Sequence, residues 1–417
     1  MRAEVVAVGT ELLLGDIANT NAQVIGRELA RIGVDCHVHV AVGDNIERIA
    51  EAISGALERA DAVILTGGIG PTQDDVTREA IARATSDSLI EDPNLAMDLR
   101  AKFSRLGRPM AKINLRQAER PSRASSLPNP IGTAPGVLSE LNGKAIYAIP
   151  GVPSEMVAML HASVLPDLAR RAGATSVIVT RVVRVGGLTE SAVAEALGPT
   201  WDRLVQGNVT VAFLAGGGEV RVRLTAKATS EAAAAVRLDA VEEEVRRVLG
   251  VAVVGGGDET VEIVVGRLLA ARGWTLACAE SVTGGSVAAR ITDVPGASAT
   301  FRGGVVAYAT EVKPSLLDVD PSLIERHGVV SGPVARAMAA GARRVMEADV
   351  GLATTGVAGP TELEGTPVGT VVVAVSGPLG DVDREVRLPG ERDNVRRLTT
   401  TVALNLVRLY LLEALEP

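Results

Sequence analysis

The chain has 417 residues and a formal net charge of −8, an acidic balance that weighs against broad nucleic-acid binding, which needs a basic face. Hydrophobic residues make up 47% and charged residues 22%, as in ordinary globular domains, and this length implies two or three of them. Cys36 and Cys278 stand far apart, outside any CxxC pattern, and no signal peptide or bilayer-spanning apolar run is visible; neither a disulfide framework nor a cysteine zinc site is expected, and a cytoplasmic protein is.

The first part alternates strands and helices. Val5 to Val8 reads as a strand ending at Gly9-Thr10. Residues 21–32 place Ile25, Leu29 and Ile32 on one helical face, and residues 45–59 do the same with Ile46, Ile49, Ile53 and Leu57. Val38 to Val42 is a second strand between them. Ala62 to Leu65 is continuously apolar, as in a buried parallel sheet, and runs into Thr66-Gly67-Gly68-Ile69-Gly70-Pro71-Thr72. This order predicts an α/β sandwich with ligands beyond the carboxyl ends of its strands.

The middle part predicts a small α+β unit. It has a strand at 180–185, a helix at 191–197, a hairpin of 209–214 and 220–226 around Gly216-Gly217-Gly218, and a helix at 232–249. Gly255-Gly256-Gly257 reads as a linker. The last part is α/β again, with strands at 275–278, 304–307, 350–353, 370–375 and 383–388. Helices are predicted at 333–346 and from about Asn394 to Leu415.

Chemistry concentrates at strand ends. Ser281 lies in Ala279-Glu280-Ser281-Val282-Thr283-Gly284-Gly285, between a strand and a helix. A serine there can be a nucleophile, a phosphate ligand or a helix cap. None of the four histidines falls in a recognisable triad motif, so a Ser–Lys pair suits the sequence better than Ser–His–Asp. Tyr308 and Lys313 follow another predicted strand, and Lys313 can approach Ser281 across neighbouring strand ends or be a solvated helix-start lysine. The turn Thr354-Thr355-Gly356 offers backbone donors or is simply structural. Arg392 and Arg396 open the final helix, where they can hold a phosphate or carboxylate or face solvent.

Together AESVTGG (279–285), ITDVPGASATFRGGVVAYATEVK (291–313), ERHGVVS (325–331), TGVAGP (355–360), PVGTV (367–371) and GERDNVRR (390–397) resemble the C-terminal domain of the CinA family, the nicotinamide-nucleotide amidase. The resemblance implies conversion of nicotinamide mononucleotide to nicotinate mononucleotide and ammonia, with no cofactor. It implies Ser281 as nucleophile, Lys313 as general base and Tyr308 assisting. It places Glu280, Thr283, Gly284, Gly285, Thr355, Gly356 and Arg392 or Arg396 at the substrate. The family usually has cysteine at Val282 and asparagine at Thr310.

GTELLLGDIANTNA (9–22), VGDN (42–45), TGGIGPTQDDVTREAIA (66–82), NPIGTAPG (129–136) and PGVPSEM (150–156) resemble the molybdopterin-binding fold in its CinA-type subgroup. This implies nucleotide binding by Gly9, Thr10, Glu11, Asn21, Thr66, Gly67, Gly68, Gly70 and Thr72. ADP-ribose is the implied substrate, cleaved at its pyrophosphate with a divalent metal of magnesium or cobalt type and potassium. Asp74 and Asp75, adjacent at an expected helix start, are the candidate metal ligands or else ordinary helix-capping acids. The middle unit resembles the family's KH-type domain, and its acidic Gly216-Gly217-Gly218-Glu219 lacks a GxxG clamp for single strands.

The expected organisation is therefore an N-terminal molybdopterin-binding-like α/β sandwich (1–170), a small α+β KH-type middle domain (171–254) and a C-terminal α/β amidase domain (258–417). The expected partners are small nucleotides and a second copy in a homodimer, with neither membrane nor nucleic acid. A non-catalytic, nucleotide-binding regulator linked to competence or DNA damage is the other reading.

Overall fold

The structure, a computed structural model, describes residues 1–105, 107, 109–173, 177–205 and 209–414. The chain divides into two compact units, Met1–Val179 with Lys227–Ala235, and Thr180–Ala226 with Val236–Pro417.

Among the described residues the first unit holds a six-stranded sheet in the order His39–Val42, Ala3–Val8, Ala62–Thr66, Lys144–Ile149, Gly136–Leu141, Ser125–Leu127. The first four strands are parallel and the last two antiparallel. The period-2 alternation of side chains sends Val5, Ile64 and Tyr147 to one face, against Ile25, Leu29, Met156 and Leu168. Val6, Val63, Leu65 and Ile146 meet Ile49, Ile53 and Ile81 on the other. With both faces covered, the central strands carry continuous apolar runs at Val5–Val8 and Ala62–Leu65. The expected α/β sandwich is observed.

Two expectations change. Asp74 and Asp75 do not start a helix; the helix Thr77–Ala84 begins after them, with Val76 at its N-cap. The Asp75 carboxylate instead accepts from the Thr72 N–H at 2.8 Å and the Thr72 hydroxyl at 2.5 Å, closing a turn that delays helix entry. Residues 84–144, left unread from sequence, contain the helix Pro93–Arg105, a 3₁₀ segment at Lys112–Ala118 and the short strand pair Leu89–Glu91 and Glu119–Pro121.

A second sheet runs Val209–Gly216, Glu219–Ala228, Val177–Gly186, Val253–Gly256. The expected hairpin turns at Gly217 and Gly218, both at positive φ. Gly255 and Gly256 belong to a strand rather than a linker, because they pair with Arg184 and Val183.

The C-terminal sheet runs Phe301–Val306, Leu276–Glu280, Val350–Gly356, Thr370–Gly377, Gly380–Arg387, three parallel strands followed by two antiparallel ones. Leu276, Cys278, Leu352, Val373 and Val375 face the helices Val261–Arg272 and Arg392–Leu411. Ala277, Ala279, Ala353 and Ala374 face the helix Gly332–Val345. Small residues let that helix lie close: a Cβ on Gly351 would stand 1.9 Å from the Ala339 carbonyl oxygen. The last helix is described to Leu411, and Leu415 lies outside the described residues. No described helix is long and apolar enough to cross a membrane.

Candidate functional site

Ser281 follows the buried strand Leu276–Glu280, and its N–H donates to the Thr354 carbonyl of the next strand at 2.9 Å. The pairing continues one residue past the strand and sets the serine at the carboxyl edge of the sheet. Gly284 and Gly285 then take positive φ (57° and 98°), turning the chain into the helix Ser286–Thr292. Lys313, near the start of the helix Val312–Leu317, reaches back to the same edge. Its Nζ lies 3.3 Å from the Ser281 Oγ and 2.9 Å from the Ala307 carbonyl oxygen. The lysine is 1% exposed. Burial lowers its pKa, opposed weakly by the charge of Glu311.

The two arginines take separate positions. Arg392 donates to the Tyr308 hydroxyl at 2.6 Å and to the Gly359 carbonyl at 2.8 Å, so it joins the tyrosine to the 354–360 turn. Arg396 donates to the Thr283 carbonyl at 2.9 Å. Beyond Arg396 lies a cavity of about 310 Å³ lined by Ser286, Arg290, Asp393, Arg396, Arg397 and Thr400.

Other expected substrate contacts have structural work instead. Glu280 is 1% exposed. It accepts from the N–H groups of Gly285 (2.9 Å), Val287 (3.0 Å) and Ala288 (2.8 Å), binding the strand end to the helix N-terminus. The cause is local: a carboxylate at the end of a strand that turns into a helix can reach the helix's orphan N–H groups. The Thr283 hydroxyl pairs with that of Thr354 at 2.7 Å, and the Thr355 hydroxyl donates to the Val329 carbonyl at 3.0 Å; both side chains are buried. Gly356 ends its strand at the same edge. Val282 points into an apolar cluster with Ala358, Val371 and Val395, so its departure from cysteine alters packing and not the polar groups at Ser281. Thr310 is exposed.

In the first unit a cavity of about 430 Å³ opens at the carboxyl ends of the strands. Gly9, Glu11, Gly67, Gly68, Gly70, Asp74 and Asp75 line it. Asn21 and Thr66 line an adjoining space of about 110 Å³ and are tied together, Asn21 donating to the Thr66 hydroxyl at 3.0 Å and to the Gly151 carbonyl at 2.7 Å. Thr10 and Thr72 are exposed and are not among the lining residues; they donate to Asp44 and Asp75. Thr133 and Glu155, from the motifs at 129–136 and 150–156, also line the cavity, as does Gln117, which lies in a 3₁₀ segment outside every motif singled out from sequence.

Five carboxylates line this cavity, and no lysine or arginine does. They do not form a ready cation site. Asp44 accepts from the Thr10 N–H and hydroxyl, Asp75 from Thr72, and Glu155 from Asn129 at 2.7 Å. Among the described residues no three His, Cys, Asp or Glu side chains are placed to hold a metal. A divalent ion held by Asp74 and Asp75 would need substrate phosphate or water for its other positions.

Residues 258–411 match the family of the CinA C-terminal domain, and residues 180–255 match the Damage-inducible protein CinA KH domain. Residues 4–170 match a family described as "Probable molybdopterin binding domain". A CinA-like protein of Frankia casuarinae is 53% identical over 417 residues, covering 99% of this chain and 96% of that protein. The chain belongs to the CinA family. A CinA-like protein of Gloeobacter violaceus is 44% identical over 413 residues, covering 97% of this chain and 96% of its own. Among solved structures, the CinA of Thermoplasma acidophilum shares 36% identity, covers 39% of this chain and 94% of its own, and superposes with a TM-score of 0.36. This CinA-family chain thus combines a molybdopterin-binding-type α/β domain, a KH-type domain and a CinA C-terminal domain.

Proposed function

We propose that the C-terminal domain is an amidohydrolase that converts nicotinamide mononucleotide to nicotinate mononucleotide and ammonia. The observation that carries this reading is the 3.3 Å approach of a buried lysine amine to a strand-end serine hydroxyl. The substrate follows from the family resemblance.

In this mechanism neutral Lys313 takes the Ser281 proton as Oγ attacks the carboxamide carbon. The carbonyl π electrons move to oxygen. The backbone N–H groups of Val282 and Thr283, which donate to nothing among the described residues, are the candidate oxyanion donors. The Lys313 ammonium then returns its proton to the nitrogen, the C–N bond breaks and ammonia leaves. Water attacks the resulting ester with Lys313 again as base, releasing nicotinate mononucleotide and returning the proton to the Ser281 oxygen. Arg392 and Arg396 are the candidate phosphate contacts.

Ammonia release from nicotinamide mononucleotide by the purified full chain tests this. Release that disappears in Ser281→Ala and Lys313→Met supports the reading. Folded parent protein without release, or full activity in either variant, overturns it.

For the N-terminal cavity, the reading the glycine turn supports is binding of a nucleotide-sized ligand. The backbone N–H groups of Gly68, Ile69 and Gly70 donate to nothing among the described residues, which leaves them for a ligand's acceptors. Binding of ADP to the full chain, measured by calorimetry, tests it, and absence of binding overturns it.

A further inference from the structure

The wall of the N-terminal cavity contains a side-chain amide with nothing to bond. Gln117 lines the cavity and is 3% exposed. Its Oε1 is closed off from solvent and has no hydrogen-bond partner. Among the described residues its amide forms no hydrogen bond at all. A buried amide left in this state costs stability, and native proteins rarely keep one without a use.

The position of Gln117 is held firmly. Its neighbour Arg116 donates to the Thr72 and Asp75 carbonyls and pairs with Glu79 at 2.7 Å. The 3₁₀ segment is therefore pinned to the turn that forms the cavity rim.

A second orphan lies behind the same wall. Arg78 is 3% exposed, and its Nε has no partner. Its other nitrogens donate to the Gly70 and Pro135 carbonyls, at 3.4 and 3.2 Å. Burial pulls its pKa down to about 10, and it makes no ion pair among the described salt bridges. A buried cation thus stands beside Gly70, in contact with the carbonyl of the glycine turn. The remaining lining is acidic and favours hydrogen-bond donors.

We infer that Gln117 is the specificity-determining residue of this cavity and reads the edge of an aminated heterocycle, whose ligand turns its acceptor-rich end to the glycine turn. An amide satisfies a donor and an acceptor side by side, the pattern presented by aminopurine and amino-oxo-pyrimidine edges. The cavity, at about 430 Å³, is of a size for one such ligand. This inference rests on the nucleotide-binding reading of the cavity given above, and it names the group that selects among nucleotides.

The test measures dissociation constants of the full chain for ADP, GDP and purine riboside 5′-diphosphate, which keeps the sugar and phosphates but has no exocyclic group. The parent protein should bind ADP or GDP about tenfold or more tightly than the purine riboside compound. Preference for ADP assigns a 6-aminopurine edge, and preference for GDP a 2-amino-6-oxopurine edge. In Gln117→Leu and Gln117→Ala the preference should vanish while affinity for purine riboside diphosphate stays within about twofold. Gln117→Leu should also unfold at a midpoint no lower than the parent, since an apolar side chain of similar size removes an unpaired buried amide. Equal binding of all three nucleotides by the parent overturns the inference and leaves the nucleotide reading standing. Discrimination retained in both variants, or a marked loss of stability in Gln117→Leu, also overturns it. No nucleotide binding at all overturns both.

Discussion

The Lys313 amine lies 3.3 Å from the Ser281 hydroxyl, although the two residues are 32 positions apart in the chain. Two parallel strands, Leu276–Glu280 and Phe301–Val306, bring them together, because each delivers its following loop to the same edge. The lysine is buried there without a carboxylate partner in the described ion pairs, so its charge is disfavoured.

That burial sets a pH dependence. The Lys313 pKa is lowered from the ordinary 10.5, and the neutral amine is the form that accepts a proton. Activity should rise with pH through the lowered pKa and level off above it. Stability changes in the same direction: between the folded pKa and 10.5 the unfolded chain binds more protons, so this group's contribution to unfolding free energy increases with pH and its penalty is full below that window. A pH–rate profile of kcat/KM checks the first, and urea midpoints across the window check the second. A flat profile would contradict the assigned role.

Substitution of the pair should separate activity from folding. Ser281→Ala and Lys313→Met should each lower kcat by about 10³-fold or more. Lys313→Met should leave the unfolding midpoint at neutral pH unchanged or raised, because it removes a desolvated charge. Ammonia release and urea denaturation provide the two readouts.

Glu280 should behave as a structural residue. Glu280→Ala strands three backbone N–H groups at the start of the helix Ser286–Thr292 and should cost about 2–4 kcal/mol of stability. Glu280→Gln keeps acceptors for two of them and should cost about half as much. Denaturant midpoints measure both; a change confined to KM would instead indicate substrate contact.

The arginines should be distinguishable by substrate. If Arg396 holds the phosphate, Arg396→Ala should raise KM for nicotinamide mononucleotide by about tenfold or more and change that for nicotinamide riboside little. Arg392→Ala releases the Tyr308 hydroxyl and should lower kcat if the tyrosine assists proton transfer. Steady-state kinetics on the two substrates decides between these patterns.

Hydrophobic periodicity and glycine-rich turns made most of the sheet strands legible before any coordinates. The strands around Val5–Val8 and Ala62–Leu65 could be read because burial on both faces favours unbroken apolar runs there. Residues 84–144 resisted reading because their strands are only three residues long in places and their helix Pro93–Arg105 buries only Ala96 and Leu99. Gly255 and Gly256 looked like a linker because local composition cannot report that Arg184 and Val183 lie alongside.

Sequence alone determined the three-part organisation, the strand-end placement of Ser281 and the candidate residues around it, since local pattern governs where strands stop and helices start. Tertiary structure decided which candidates share a site and which are already spoken for. It joined Ser281 to Lys313 and Arg392 to Tyr308, and it turned Glu280, Thr283 and Thr355 inward to satisfy backbone and hydroxyl groups. It also exposed the unpartnered amide of Gln117. Hydrogen-bond partners and burial are set by residues distant in the chain, so a residue's neighbours in sequence do not reveal whether its polar atoms are free.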